Sequence, residues 1–186
     1  MGHLLLKLFG WKVDATLPEA KKYVLVGAPH TSNWDFIFGL STLYYLRLKV
    51  SWMAKDSLFR WPLGYIMRGL GGMPVKRDRA HGVVEQMVEN LDKSSELIVG
   101  LAAKGTRKKT EYWKSGFYWI AYKAKVPIVF CGLDYKNKTI HINFTILPTG
   151  NVKKDMDKIR MYYSGIVGKH PKFTDNVRLK EENDNL

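Results

Sequence analysis

Residues 23–35 read Tyr23-Val24-Leu25-Val26-Gly27-Ala28-Pro29-His30-Thr31-Ser32-Asn33-Trp34-Asp35. The apolar run through Ala28 predicts a buried strand, and apolar residues at helical spacing begin at Trp34. The strand therefore ends just before His30, and Asp35 follows five positions later in the first turn of a helix. This arrangement places a candidate base, and a carboxylate that could orient it, at the mouth of a sheet.

The rest of the chain alternates between strand and helix patterns. Strands are predicted at Tyr23–Gly27, Val50–Ala54, Glu96–Leu101, Val126–Leu133 and Thr139–Ile146, with a short one at Pro74-Val75. Helices are predicted at Trp34–Leu46, Leu58–Leu70, Gly82–Leu91, Gly116–Lys125 and Lys154–Gly168.

Strands separated by helices indicate crossover units and parallel pairing. Only five residues, 134–138, join the last two strands, which is too short for a crossover, so these two should form an antiparallel hairpin. The expected fold class is α/β: a single domain with a mixed, largely parallel sheet and helices on both faces. Within it, residues 1–22 form an N-terminal amphipathic segment and a candidate for membrane contact. Residues 23–173 form the folded domain, and residues 174–186 form a polar tail that is expected to be disordered.

The net charge of +13 predicts an anionic partner: nucleic acid, lipid head groups or phosphorylated small molecules. Cys131 is the single cysteine, so no intramolecular disulfide can form, and its apolar surroundings predict a buried thiol. No Cys/His cluster has metal-ligand spacing, so no metal is expected. No segment approaches the ~20 apolar residues of a membrane span.

A neutral imidazole at position 30 could accept a proton from an alcohol, with Asp35 fixing its tautomer. The alternative is an ordinary loop histidine beside a first-turn acid that the helix dipole favours. Two cationic segments could bind an anion near it: Ala102-Ala103-Lys104-Gly105-Thr106-Arg107-Lys108-Lys109 and Gly71-Gly72-Met73-Pro74-Val75-Lys76-Arg77. Taken alone, each could equally be a solvated surface loop.

Four blocks in order, from about Tyr23 to Tyr135, resemble the glycerolipid acyltransferases of the lysophosphatidic acid acyltransferase type, in a short form. The blocks are the H-x-x-x-x-D box at His30–Asp35, the segment ending at Arg77, the G-T-R box at Gly105–Arg107, and the V-P-I block at Val126–Ile128.

The resemblance implies roles by position. His30 would be the general base and Asp35 its partner. Gly105, Thr106 and Arg107 would bind the phosphate of the acceptor, and Arg77 would add a second cation.

The third block departs from the family pattern, which normally begins Pro-Glu, because this chain has Ala103-Lys104 there. The change turns a negative charge into a positive one beside the site. Lys104 is therefore counted among the candidate substrate-binding residues, and the identity of the acceptor stays open.

The expected reaction moves a fatty acyl group from acyl-CoA or acyl-ACP, as co-substrate, to the hydroxyl of a lysophospholipid, with no other cofactor. An aminolipid acceptor, or an inactive relative that binds lipid, remains open. The expected partners are the two substrates, an anionic membrane surface and, as a carrier, acyl carrier protein. The expected location is cytoplasmic, peripherally on the inner face of the cell membrane. The charge and aromatic content also suit a nucleic-acid binder, but no recognition motif is present, so no nucleic acid is expected.

Overall fold

The structure, a computed structural model, describes residues 2–75, 80–174 and 176–183. Seven strands form one sheet: β1 (Lys12–Ala15), β2 (Lys22–Ala28), β3 (Val50–Lys55), β4 (Gly72–Val75), β5 (Leu97–Ala102), β6 (Ile128–Asp134) and β7 (Thr139–Ile146). Six helices are described: α1 (Gly2–Leu8), α2 (Trp34–Tyr45), α3 (Leu63–Gly69), α4 (Ala80–Lys93), α5 (Gly116–Ala124) and α6 (Val152–Tyr163). Short 3-10 turns cover Asp56–Phe59, Pro171–Phe173 and Lys180–Asn183.

The strand order is β1-β7-β6-β2-β5-β3-β4. Every pairing is parallel except β6 with β7, which form the antiparallel hairpin that the five-residue connection predicts. The expected α/β class with a mixed, largely parallel sheet is therefore confirmed. Because β2, β5, β3 and β4 run in one direction, the loops that follow them all leave from the same edge of the sheet.

Helices cover both faces of the sheet. One face packs against α1 and α2 through Leu6 and Phe38, together with Trp11. The other packs against α4, α5 and α6 through a larger cluster that includes Leu91, Phe117 and Met156. Strand β6 lies between these layers and is buried at every position, which explains its unbroken apolar sequence.

Two predicted helices are shorter than the apolar pattern indicated. The predicted helix Leu58–Leu70 divides into the 3-10 turn Asp56–Phe59 and α3, because Pro62 has no N–H and cannot continue a helix through its position. Helix α6 ends at Tyr163 instead of Gly168. The chain turns there, and the Ile166 amide donates to the Tyr163 carbonyl at 3.1 Å.

The two ends of the chain are more ordered than the sequence predicted. Strand β1 was missed because it is only four residues long; it pairs in parallel with β7 at the edge of the sheet. The expectation of a disordered tail is wrong for residues 176–183. Leu179 is buried in the large core cluster, and Arg160 donates to the carbonyl of Val177 at 2.9 Å and to the carboxylate of Glu182 at 2.7 Å.

Candidate active site

His30 lies two residues beyond the end of β2, at the edge of the sheet where β5 also ends. Its Nδ1 is 3.2 Å from Oδ2 of Asp35, and the imidazole is about three-quarters buried. The side chain also lines a cavity. Because Nδ1 faces the carboxylate, Nε2 is the nitrogen available to a ligand, which is the arrangement a general base requires.

Asp35 is buried in the first turn of α2 and is surrounded by donors. Its Oδ2 accepts from the amides of Thr31 at 2.7 Å and Ser32 at 2.8 Å. Its Oδ1 accepts from the hydroxyl of Tyr135 at 2.6 Å. Burial by itself would raise the pKa of Asp35, but the hydrogen bonds from His30, Tyr135 and Ser32 outweigh it and hold the pKa below 3.8. The carboxylate is therefore ionised at neutral pH and can stabilise a protonated His30.

Tyr135 is a site residue that the sequence reasoning missed. It follows β6, the neighbour of β2, so it reaches the same edge of the sheet as His30. Its ring packs edge-on against Trp11 at 4.8 Å, and its amide donates to the carbonyl of Val167 at 2.8 Å. Burial and the adjacent Asp35 carboxylate raise the pKa of Tyr135, so it remains a donor. The available signal was an aromatic residue with a hydroxyl directly after a buried strand next to β2.

The turn that carries Gly105, Thr106 and Arg107 lies beside the box that begins at His30. Gly105 has φ +64, in the left-handed region that favours glycine, and its amide donates to the carbonyl of Ala102 at 3.1 Å. Arg107 donates from Nη1 to Oδ1 of Asn33, so a direct contact connects the two blocks. The guanidinium is exposed, and an anion arriving from solvent can reach it.

Lys104 has a different environment from its neighbours in the same turn. Only 3% of the residue is exposed, and its Nζ donates to the carbonyl of Phe173 at 2.6 Å. It also lines the cavity beside His30. The lysine thus holds the segment that follows α6 against the end of β5, whatever contact it makes with a ligand.

The cavity beside His30 has a volume of about 440 Å³, which falls in the range of small-molecule sites. Its apolar wall includes Trp113, Tyr163, Ile166 and Val177. Thr174 also lines it, and within the described part of the chain its buried Oγ1 has no hydrogen-bond partner. An elongated apolar group could therefore lie against this wall with its polar end near the imidazole.

Arg77, the remaining candidate phosphate ligand, lies outside the described residues. Strand β4 ends two positions earlier, at Val75, on the edge of the sheet shared with β2 and β5. Among residues 2–75, 80–174 and 176–183, no group of His, Cys, Asp and Glu side chains could hold a metal ion. Over the same ranges, no helix has the length and apolar character needed to cross a membrane.

A family model described as acyltransferase matches residues 12–133, about two thirds of the chain. The protein therefore belongs to the acyltransferase family, which confirms the resemblance to glycerolipid acyltransferases, and its class of reaction is acyl transfer. The matched range includes His30, Asp35 and the turn from Lys104 to Arg107, and it ends two residues before Tyr135. No curated protein and no solved structure matches the chain.

Proposed function

We propose that the protein transfers a fatty acyl group from an acyl thioester, carried by CoA or acyl carrier protein, to the free hydroxyl of a lysophospholipid such as 1-acyl-glycerol-3-phosphate. The observation that carries the proposal is the contact between two blocks. His30 is held by Asp35 at the end of β2, and Arg107 at the end of β5 reaches back to Asn33 of the same box. An imidazole and a guanidinium thus lie at one edge of the sheet, which supports the roles of base and anion-binding group that we propose for them.

In this proposal Nε2 of His30 takes the proton from the acceptor hydroxyl while the oxygen attacks the thioester carbon. The resulting tetrahedral oxyanion collapses, the carbon–sulfur bond breaks, and the leaving thiolate takes the proton back from the imidazolium. Asp35 remains ionised throughout, since its pKa is low, and it stabilises the charged imidazole. General-base assistance of this kind contributes about 10²- to 10⁴-fold to the rate.

The acceptor phosphate would bind at the turn of Gly105, Thr106 and Arg107. The left-handed glycine allows the tight turn that carries Thr106 and Arg107, and a guanidinium can bind phosphate through two hydrogen bonds. Arg77 would supply a second cation, as the resemblance implies, and Lys104 would add positive charge from within the cavity. The acyl chain would lie against the apolar wall formed by Trp113, Tyr163 and Ile166. Both substrates are amphiphiles, so we propose that the enzyme works at the cytoplasmic face of an anionic membrane.

The test is release of free thiol from acyl-CoA or acyl-ACP by the purified protein in the presence of lysophosphatidate. We expect His30→Ala to lower the rate by at least 10²-fold, the lower bound for general-base catalysis. His141→Ala is the matched control, because His141 also pairs with an aspartate, Asp14, at 3.2 Å but lies on β7, outside the site. Equal rates for the wild type and His30→Ala would exclude the proposed mechanism.

The identity of the acceptor is tested in a panel with mass spectrometry of the products. Lysophosphatidate, other lysophospholipids and an aminolipid are offered with the same donor. An acylated lysophosphatidate supports the proposal. Acylation of the aminolipid alone would correct the acceptor, and lipid binding without any turnover would identify an inactive relative.

A further inference from the structure

Helix α3 and the turn before it expose large apolar side chains to solvent. Trp61 is 84% exposed and Tyr65 is 76% exposed, and Leu58, Leu63 and Ile66 are also about half exposed or more. These five residues are called the α3 surface. Most of the other exposed large apolar side chains in the described part of the chain also belong to residues 4–45. An apolar group of this size on a protein surface usually marks an interaction site.

The packing of α3 against the domain leaves its apolar side chains exposed. Gly64 is the buried residue of α3, and a Cβ there would lie 2.0 Å from the carbonyl oxygen of Phe59. Phe59 itself is buried, and Arg68 donates to its carbonyl at 3.3 Å while its guanidinium lies 5.6 Å from the ring. The helix therefore rests on the domain through Gly64, and Leu63, Tyr65 and Ile66 are exposed to solvent.

Aromatic ring contacts connect Phe59, beneath the α3 surface, with α2 beside the candidate active site. The ring of Phe36, one residue after Asp35, packs edge-on against Trp52 at 4.9 Å, and Trp52 lies 6.1 Å from Phe59. Trp34 and Ile37, on either side of Phe36, are partly exposed as well. The turn Asp56–Phe59 follows β3 directly, so it leaves the sheet at the edge where His30 lies.

The charge around this surface is positive. Residues 36–75 contain five Lys and Arg against one acid, Asp56. Arg60 and Arg68 are both exposed next to the apolar side chains. Exposed Trp and Tyr beside basic residues are the combination typical of a protein surface that rests at the level of lipid head groups, where aromatic rings and cations both find favourable contacts.

We propose that the α3 surface docks on an anionic bilayer, with Trp61, Leu63, Tyr65 and Ile66 in the head-group region and Arg60 against lipid phosphates. This docking proposal depends on the proposed function in one respect: the acceptor is a lipid, which comes from a membrane. Docking in this position would bring the edge of the sheet with His30 toward the surface from which the acceptor arrives. The α3 surface would then be a second membrane contact, in addition to the one expected from residues 1–22.

The test is co-sedimentation with vesicles of phosphatidylglycerol and phosphatidylcholine. The double variant Trp61→Ser/Ile66→Ser is expected to bind at least tenfold more weakly than the wild type. The matched control is Leu147→Ser/Met161→Ser, which removes two side chains that are 62% and 77% exposed elsewhere on the protein. The control is expected to change binding less than twofold.

Activity separates this proposal from the proposed function. With a short-chain acceptor below its micellar concentration, Trp61→Ser/Ile66→Ser should release thiol at the wild-type rate, and the same variant should be slow when the acceptor is in vesicles. If the wild type binds vesicles through this surface but releases no thiol, the proposed function is wrong and the docking proposal stands. Unchanged vesicle binding by the double variant would overturn the docking proposal. The docking proposal would also be overturned if sedimentation velocity showed a dimer for the wild type and a monomer for the double variant.

Discussion

The hydroxyl of Tyr135 donates to Oδ1 of Asp35 at 2.6 Å, although the two residues are 100 positions apart in the sequence. The opposite oxygen of the carboxylate faces His30. Tyr135 therefore fixes the rotation of the carboxylate that orients the imidazole, and it acts on the site through Asp35. This makes it a positioning residue that the H-x-x-x-x-D box does not contain.

Tyr135→Phe should weaken the site while keeping the fold. A hydrogen bond to a charged group contributes about 1.5–3 kcal/mol, so the free energy of unfolding should fall by about that amount. The variant should lower kcat and leave KM for the acceptor unchanged, because the substrate contacts remain. Steady-state kinetics and urea unfolding check both effects. Tyr44→Phe, at an exposed position on α2, is the control and should change neither quantity. A rise in KM with unchanged kcat would show that Tyr135 acts on the substrate.

The sequence was sufficient to predict that His30 and the turn after β5 lie near each other, because neighbouring parallel strands end at the same edge of a sheet. The predicted strands before His30 and before Lys104 are neighbours, and Asn33 and Arg107 meet there. It was not sufficient to predict Tyr135 or the bond from Lys104 to Phe173, because long-range side-chain contacts depend on geometry that no local pattern records. The order of residues 176–183 was also missed. Their composition is polar, and the burial of Leu179 depends on a pocket formed by distant elements.

The ionised form of Asp35 should make a measurable contribution to stability, with a defined dependence on pH. A carboxylate whose pKa is lowered by folding stabilises the protein above its unfolded pKa of 3.8, and it loses this contribution as the pH falls through the folded value. Asp35→Asn should therefore be less stable by about 2 kcal/mol at pH 7, since charge-assisted bonds are lost. The difference from the wild type should shrink below pH 3.8.

Urea unfolding of both proteins between pH 2.5 and 7 measures this dependence. Asp92→Asn, at an exposed position on α4, is the control and should follow the wild type at every pH. A difference between Asp35→Asn and the wild type that stays constant down to pH 2.5 would mean that hydrogen-bond geometry, and not the charge of Asp35, is responsible.

Arg107 should act on acceptor binding more than on turnover. Removing a charge-assisted hydrogen bond costs about 1.5–3 kcal/mol, which corresponds to a KM for the phosphate acceptor about 10- to 100-fold higher in Arg107→Ala. Arg107→Lys keeps the charge but loses the two-pronged geometry, so its KM should be intermediate. The neighbouring exposed Lys108→Ala is the control. If the two alanine variants raise KM equally, the turn would bind the acceptor through overall charge and not through Arg107.

Lys104 stands where the family pattern has glutamate, and it either holds Phe173 in place or contacts the substrate. Substitutions can separate these two roles. If its main role is to hold Phe173, Lys104→Met should lose about 1–3 kcal/mol of stability, because the carbonyl is left without that donor. Lys104→Glu should lose more, since it buries a carboxylate beside a carbonyl oxygen, and two acceptors repel each other. Urea unfolding measures both losses, and limited proteolysis should show faster cleavage after residue 173.

Restoring the family's glutamate should therefore not raise activity in this chain. Lys104→Glu should acylate no acceptor in the panel faster than the wild type. If the lysine acts only by holding Phe173, both Lys104 variants should be impaired in proportion to their loss of stability, and if it also attracts the phosphate, Lys104→Glu should raise KM beyond that proportion. Lys109→Glu makes the same change of charge at an exposed position of the same loop, and it should leave stability unchanged. A stable Lys104→Glu protein with a new acceptor preference would instead place this side chain in contact with the substrate, and the segment after α6 would then be held mainly by Leu179 and by Arg160.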